Sequence, residues 1–200
     1  MIPISTPVAL IRHGPTEWNA ERRIQGTVDT PLSEAGREWV GTWRLPKELA
    51  GFQWFVSPRR RAQETARLLG VTEAEVDPRL AEMAWGEWEG RRIEDLRAEF
   101  GDLMTANEGK GLDFRPPKGE SPRDVQARLS SWFREVAESG RPTAAVAHAG
   151  VIRAAFALAS GWDMTGKPPV KLLDGMAHLF RVGDGGVLSI DRLNISLEPG

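Results

Sequence analysis

The 200-residue sequence has no cysteine and no tyrosine, and only three histidines. Without cysteine there is no disulfide framework, no thiolate metal site and no sulfur nucleophile, so cysteine-based phosphatase and protease chemistry is excluded. The redox compartment stays open on that ground. A long apolar run is missing too: no stretch approaches the roughly 18 apolar residues of a membrane span, and no membrane partner is expected. The segment Met1 to Pro7 lacks a basic region, and the apolar run Val8 to Ile11 behind it is too short for a secretory leader, so a cytoplasmic location is expected. Charge of one sign is also absent. The 26 Lys+Arg against 28 Asp+Glu leave a net −2, which argues against a nucleic-acid partner, because phosphate-backbone binders carry a basic surplus. Neither a Gly-x-Ser-x-Gly elbow nor a His-Glu-x-x-His helix occurs.

What remains is a chain long enough for one domain over residues 1–200, with 40% hydrophobic residues to fill a core. Val8-Ala9-Leu10-Ile11 reads as a buried strand breaking into Arg12-His13-Gly14-Pro15. Ser33-Glu34 opens a helix to about Arg44, and Trp54-Phe55-Val56 is a second strand. Ser57-Pro58 reads as an N-cap and first turn, with Ala62, Thr65, Ala66 and Leu69 on one helical face. A short helix is expected over Ile93 to Phe100, and Gly101 to Gly119 reads as mostly loop. Ser121-Pro122 opens a helix through about Glu138. Thr143 to Ala147 is a buried strand, followed by an apolar helix to about Ser160. Phe180 to Val182 and Val187 to Ile190 flank Gly183-Asp184-Gly185-Gly186 as a hairpin. Alternating strands and helices imply an α/β fold with a mainly parallel sheet, whose sites lie beyond the carboxyl ends of the strands.

His13 and His148 occupy equivalent places, each after a strand and closely followed by glycine. A lone histidine reads as a satisfied polar residue; two at matching strand ends are brought together by the fold. Arg12 and the run Arg59-Arg60-Arg61 supply cations, and guanidinium suits bidentate phosphate recognition. Arg59 and Arg60 read as a solvated face. Glu82, in the apolar and aromatic stretch Leu80 to Gly86, reads as a carboxyl group kept protonated for general-acid work. A histidine nucleophile, a second histidine, arginines and one acid suit phosphoryl transfer without a metal.

Leu10 to Asn19, with its Arg12-His13-Gly14 core, resembles the signature of the histidine phosphatase (phosphoglycerate mutase-like) superfamily. Arg23-Ile24-Gln25-Gly26, Asp29 to Ser33 and Gly36 continue the pattern. Ser57-Pro58, Arg61-Ala62 and Thr65-Ala66 match a second block, Glu82 with Gly86, Trp88, Glu89 and Gly90 a third, Gly119-Glu120-Ser121 with Arg128 a fourth, and Ala147 to Arg153 the last. The resemblance covers Val8 to Arg153 in order.

That resemblance implies a three-layer α/β/α sandwich and a phosphohistidine intermediate on His13. Arg12, Arg61 and His148 would hold the phosphate oxygens, and Glu82 would serve as general acid and then base. Thr16, Asn19, Gln25, Gly26 and Ala149 are implied as substrate contacts. No metal and no cofactor are implied. Two positions depart from the pattern: Arg59 stands where an apolar residue is frequent, and Ala149 stands for a glycine. An active enzyme is still expected.

The resulting expectation is a metal-independent phosphomonoesterase acting on a small phosphorylated metabolite. A cofactor-dependent phosphoglycerate mutase is the alternative, and a non-catalytic phospho-ligand or partner-binding module, in which His13 is dispensable, is a second. A segment at about 83–120 would cover the pocket, and the shortness of the chain between Gly90 and Gly119, beside the longer insertion the resemblance implies for mutases, favours the phosphatase. Lys110, Arg115 and Lys118 are candidates for a second anion or are solvated loop charges. Trp18, Trp85 and Trp88 are expected along the pocket, and His178 belongs to the C-terminal strand. Gly161 to Lys167 approaches a nucleotide loop but lacks its Ser/Thr and its preceding strand. The sequon Asn194-Ile195-Ser196 is meaningless without secretion. The oligomeric state is left open.

Overall fold

The computed structural model describes residues 5–197. Met1 to Ile4, part of the stretch read for a leader, and residues 198–200 lie outside the described residues. Along the chain come β1 (Thr6–Arg12), α1 (Glu17–Ala20), α2 (Glu34–Thr42), β2 (Gln53–Val56), α3 (Arg60–Leu68), β3 (Ala74–Val76), α4 (Ile93–Phe100), α5 (Asp102–Glu108), α6 (Pro122–Ser139), β4 (Thr143–Ala147), α7 (Ala149–Ser160), β5 (Met176–Val182) and β6 (Leu188–Ser196). The strands form one sheet in the order β3-β2-β4-β1-β5-β6. The first four in that order run parallel, β5 pairs antiparallel with β1, and β6 antiparallel with β5.

Because side chains alternate across a strand, each central strand feeds two cores. Val8 and Leu10 of β1, with Ala145 of β4 and Phe180 of β5, pack on one face against α6 and α7. Ala9, Ile11, Ala144 and Leu179 face the other way, toward Val40 of α2. Val56 and Val146 meet Ala62 and Ala66 of α3 on that second face. The chain is thus an α/β/α sandwich with a mainly parallel sheet, and the buried runs 8–11 of β1 and 144–147 of β4 are apolar because helices cover both faces.

Helix α6 shows its sequence logic most fully. Ser121 accepts the Asp124 amide, the Asp124 carboxylate accepts the Ser121 amide at 2.8 Å, and Gly140 ends the helix at φ 61°. Val125, Leu129, Trp132, Phe133 and Val136 form its buried face.

Three expectations are corrected. The segment 101–119 is not mostly loop: it holds α5 and a 3-10 turn at Gly111–Asp113. Gly101, at φ 47°, separates α4 from α5, and burial of Met104 beside Ile24, Trp88 and Leu96 stabilises a helix whose own sequence is polar. Ser57 does not cap a helix, since α3 starts at Arg60 without a side-chain cap. Helix α2 stops at Thr42 rather than Arg44, where Trp43 turns extended to join the core. The hairpin around Gly183–Gly186 forms as expected, with longer arms, whereas α1 and β3 carried no recognisable sequence signal. Among the described residues no helix is long and apolar enough to cross a membrane.

Candidate active site

Parallel pairing of β1 with β4 sets Arg12 opposite Ala147, so His13 and His148 leave adjacent strands at the same end. The His13 amide donates to the Ala147 carbonyl at 3.0 Å, and the two imidazole centroids lie 5.0 Å apart. The Ser57 amide, after β2, donates to Val146 at 3.0 Å and brings a third loop to this end. The Gly14 amide donates to the Thr65 hydroxyl at 2.9 Å, tying the first loop to α3. Gly14 also lies so close to Val40 that a Cβ there would collide with its side chain.

His13 is buried, and its Nδ1 lies 2.7 Å from the Gly14 carbonyl oxygen. A carbonyl only accepts, so Nδ1 carries the proton and Nε2 keeps its lone pair. Burial holds the His13 pKa well below the usual histidine value, the Arg12 and Arg61 charges push the same way, and the Gly14 bond opposes them. His148 is fully buried and lowered in the same direction, by burial first and then by His13, Arg61 and Arg12. Its Nε2 lies 2.6 Å from the Ser57 hydroxyl.

Arg61 has no solvent exposure and, among the described residues, no carboxylate within ion-pair distance, which is uncommon for a guanidinium. It donates to the carbonyls of Val28 at 2.9 Å and Gly26 at 3.0 Å, so the backbone aims it without neutralising it. Arg12 is anchored instead by Asp174 at 2.6 Å, while its buried Nε meets no partner among the described residues. Glu82 is half-buried and accepts the Met83 amide at 2.9 Å and the Gly150 amide, in the first turn of α7, at 3.4 Å. The loop bearing Glu82 is braced by Glu120, which accepts the Ala84 amide at 2.9 Å and pairs with Arg128 at 3.1 Å.

Histidines 13 and 148, arginines 12 and 61, and Glu82 are therefore gathered beyond the carboxyl ends of the central strands. The remaining expected contacts hold that end together. Thr16 and Asn19 form a capping box for α1, with the Thr16 amide donating to the Asn19 side chain at 3.0 Å. Gln25 accepts the Thr30 hydroxyl at 2.6 Å, Gly26 presents its carbonyl to Arg61, and Ala149 opens α7. Of the tryptophans, Trp85 lines the adjoining cavity; Trp88 is instead buried beside Ile24 and Leu96, and Trp18 covers Gly90. Arg59 is half-buried with Nε out of solvent, not part of a solvated face, because its chain turns inward at the start of α3; Arg60 is exposed and pairs with Glu64. Arg115 pairs with Asp124 at 2.6 Å and Lys118 with Glu87 at 2.8 Å. His178 lies in β5 as expected.

Sequence reasoning missed Ser57, which it read as a cap, and Asp174, which lies 162 residues from Arg12 with no local signal. Glu89, named in the third block without a role, receives the amides of Thr27 at 2.7 Å and Trp85 at 3.2 Å on its carboxylate and so fastens the Gly26 loop to the Glu82 loop.

The sequence matches the family model of the histidine phosphatase superfamily (branch 1) over residues 8–195. It is 36% identical over 126 residues to the probable phosphoglycerate mutase GpmB of Cronobacter sakazakii, which covers 61% of this chain and 59% of that protein. Phosphoglycerate mutase-like protein 4 of Arabidopsis thaliana is 30% identical over 189 residues, covering 89% of this chain and 80% of that one. Among solved structures, mycobacterial glucosyl-3-phosphoglycerate phosphatase in complex with VO3 has a TM-score of 0.78 at 27% identity, covering 96% of this chain and 100% of that chain. YhfR of Bacillus stearothermophilus gives 0.77 at 27% identity, covering 98% of each. With the family pattern matched from β1 through β6, this chain belongs to the histidine phosphatase superfamily, branch 1.

Proposed function

We propose that the chain is a phosphomonoesterase that hydrolyses a small phosphorylated metabolite through a phosphohistidine on His13. The observation that carries this reading is the His13 ring itself: Nδ1 is tied to the Gly14 carbonyl, and burial beside two arginines keeps Nε2 unprotonated. In the first step Nε2 attacks phosphorus, the bond from phosphorus to the leaving oxygen breaks in line, and Glu82 gives that oxygen its proton. In the second step water attacks phosphorus, the P–N bond breaks, Glu82 takes the water proton, and inorganic phosphate departs. Arg12, Arg61 and His148 hold the equatorial oxygens, where charge gathers in the transition state. The first-turn amides of α7 add the positive end of a helix. Thr16, Asn19, Gln25 and Gly26 keep the arginines and the His13 loop in place, and Ala149 borders the phosphate. In this reading the chain works as one domain, with 83–120 walling the leaving-group side.

Hydrolysis is favoured over mutase action because two of the three cations considered for a second anion are already paired, Arg115 with Asp124 and Lys118 with Glu87. The mutase names of the sequence relatives support the competing reading. Incubation with a phosphomonoester is expected to give an acid-labile, base-stable phosphoenzyme that His13→Ala cannot form, and to release inorganic phosphate. Equal labelling of the variant would overturn the His13 assignment. Transfer to monophosphoglycerate in a parallel assay, at a rate above release to water, would make the chain a mutase.

A further inference from the structure

Next to Glu82 opens a cavity of about 570 Å³, within the range of pockets that hold drug-sized ligands and far larger than a phosphate group requires. Its position has a chemical meaning. In an in-line displacement the acid stands beside the departing oxygen, so a cavity that starts at Glu82 and Gly150 receives the leaving alcohol. His13 lies outside its lining.

The lining mixes large apolar side chains, Met83, Trp85, Ile93, Phe114 and Met164, with the charged Glu82, Arg97, Glu108 and Arg153. Trp85 and Phe114 meet edge to face at 5.5 Å, and Phe114 also leans on Trp88 at 5.9 Å, so the aromatic wall is packed from behind. Two charged residues on the wall, Arg97 and Glu108, bind each other at 2.8 Å and cancel. Arg153 is different. It lies 5.5 Å over the Trp162 ring, and among the described residues no carboxylate lies within ion-pair distance of it. The cavity therefore offers a cluster of large apolar side chains and one cation that stands outside an ion pair.

We infer that the preferred substrates are phosphate monoesters of bulky, largely apolar alcohols, bearing at most one further anionic group, which Arg153 receives. Short polyhydroxylated or doubly phosphorylated metabolites leave the Met83, Trp85, Ile93, Phe114 and Met164 side chains uncovered and bring a second dianion to a cavity with one cation outside an ion pair. The inference rests on the phosphatase reading for the direction of the leaving group. Its test needs no turnover.

Binding of n-alkylphosphonates, from methyl to octyl, to the wild-type protein can be followed by titration calorimetry. These probes keep the phosphoryl oxygens constant and cannot be hydrolysed. Kd is expected to fall about fourfold per methylene until the cavity fills, the fold-change that corresponds to about 0.8 kcal/mol per buried methylene. Phe114→Ala should flatten that slope, and Phe114→Leu, which preserves more of the packing, should flatten it less. Arg153→Ala should weaken an ω-carboxyalkylphosphonate at least tenfold more than the unsubstituted chain. A Kd independent of chain length, or tighter binding of 3-phosphoglycerate than of octylphosphonate, overturns the inference. Failure to form a phosphoenzyme while the chain-length slope persists would instead overturn the phosphatase reading and leave the pocket assignment standing.

Discussion

Arg12 reaches Asp174 across 162 residues, and that contact sets where its guanidinium points. Asp174 is half exposed, so the pair contributes little to stability, on the order of 0–1 kcal/mol. Its effect falls on orientation. Asp174→Ala is expected to lower kcat/KM for phosphomonoesters about three- to tenfold, while Asp174→Asn, which can still accept the hydrogen bond, stays within about threefold of wild type. A rise in kcat/KM for the alanine variant would mean that Asp174 competes with phosphate for Arg12. Gly150 governs Glu82 in a similar way. A Cβ at Gly150 would run into a Glu82 carboxyl oxygen, and because that oxygen ends a flexible side chain, the acid moves while the helix stays. Gly150→Ala should therefore cut kcat on alkyl phosphates at least tenfold, with Tm within about 2 °C of wild type. Unchanged kcat would show that the position of Glu82 is unimportant.

Elements differ in how openly the sequence announces them. The apolar runs of β1 and β4, and the capped, evenly spaced face of α6, are legible because local pattern and final environment agree. The site histidines were visible for the same reason: they follow those two strands. Helix α5 is not legible, since its own sequence is polar and Met104 anchors it in a cluster that needs the distant Ile24 and Trp88 as well as nearby Leu96. Ser57 was misread because its pattern fits a cap, while the buried His148 ring gives it a partner no local rule supplies. Asp174 illustrates the same limit at longer range. On α6, Phe133 has no exposed surface and belongs to the larger core cluster. Phe133→Ala is expected to cost about 3–5 kcal/mol of folding stability, measured by denaturant titration. A loss under 1 kcal/mol would mean that α6 repacks freely against the sheet.

On the scale of the whole molecule, all three histidines titrate below the usual 6.5, with His178 lowered to about 4, chiefly by burial. Each is held neutral in the fold and gains a proton more readily when unfolded. The stability they contribute is thus complete above about pH 6.5 and is lost as pH falls toward their folded values. Each adds a slope of about 1.4 kcal/mol per pH unit across its own window. Tm should drop between pH 7 and 5, and inorganic phosphate should restore part of that loss, because an anion between His13 and His148 favours their charged forms. An equal drop with and without phosphate would place the titrating groups elsewhere. The sheet order has a consequence for synthesis. Strand β4 sits between β1 and β2, yet it comes 131 residues after β1 ends. Before ribosomes have made residue 147, β1 has neither of its neighbours and the two histidines cannot meet. Any product truncated before that point carries His13 but no assembled site, so the two-histidine cluster forms late in the life of the nascent chain.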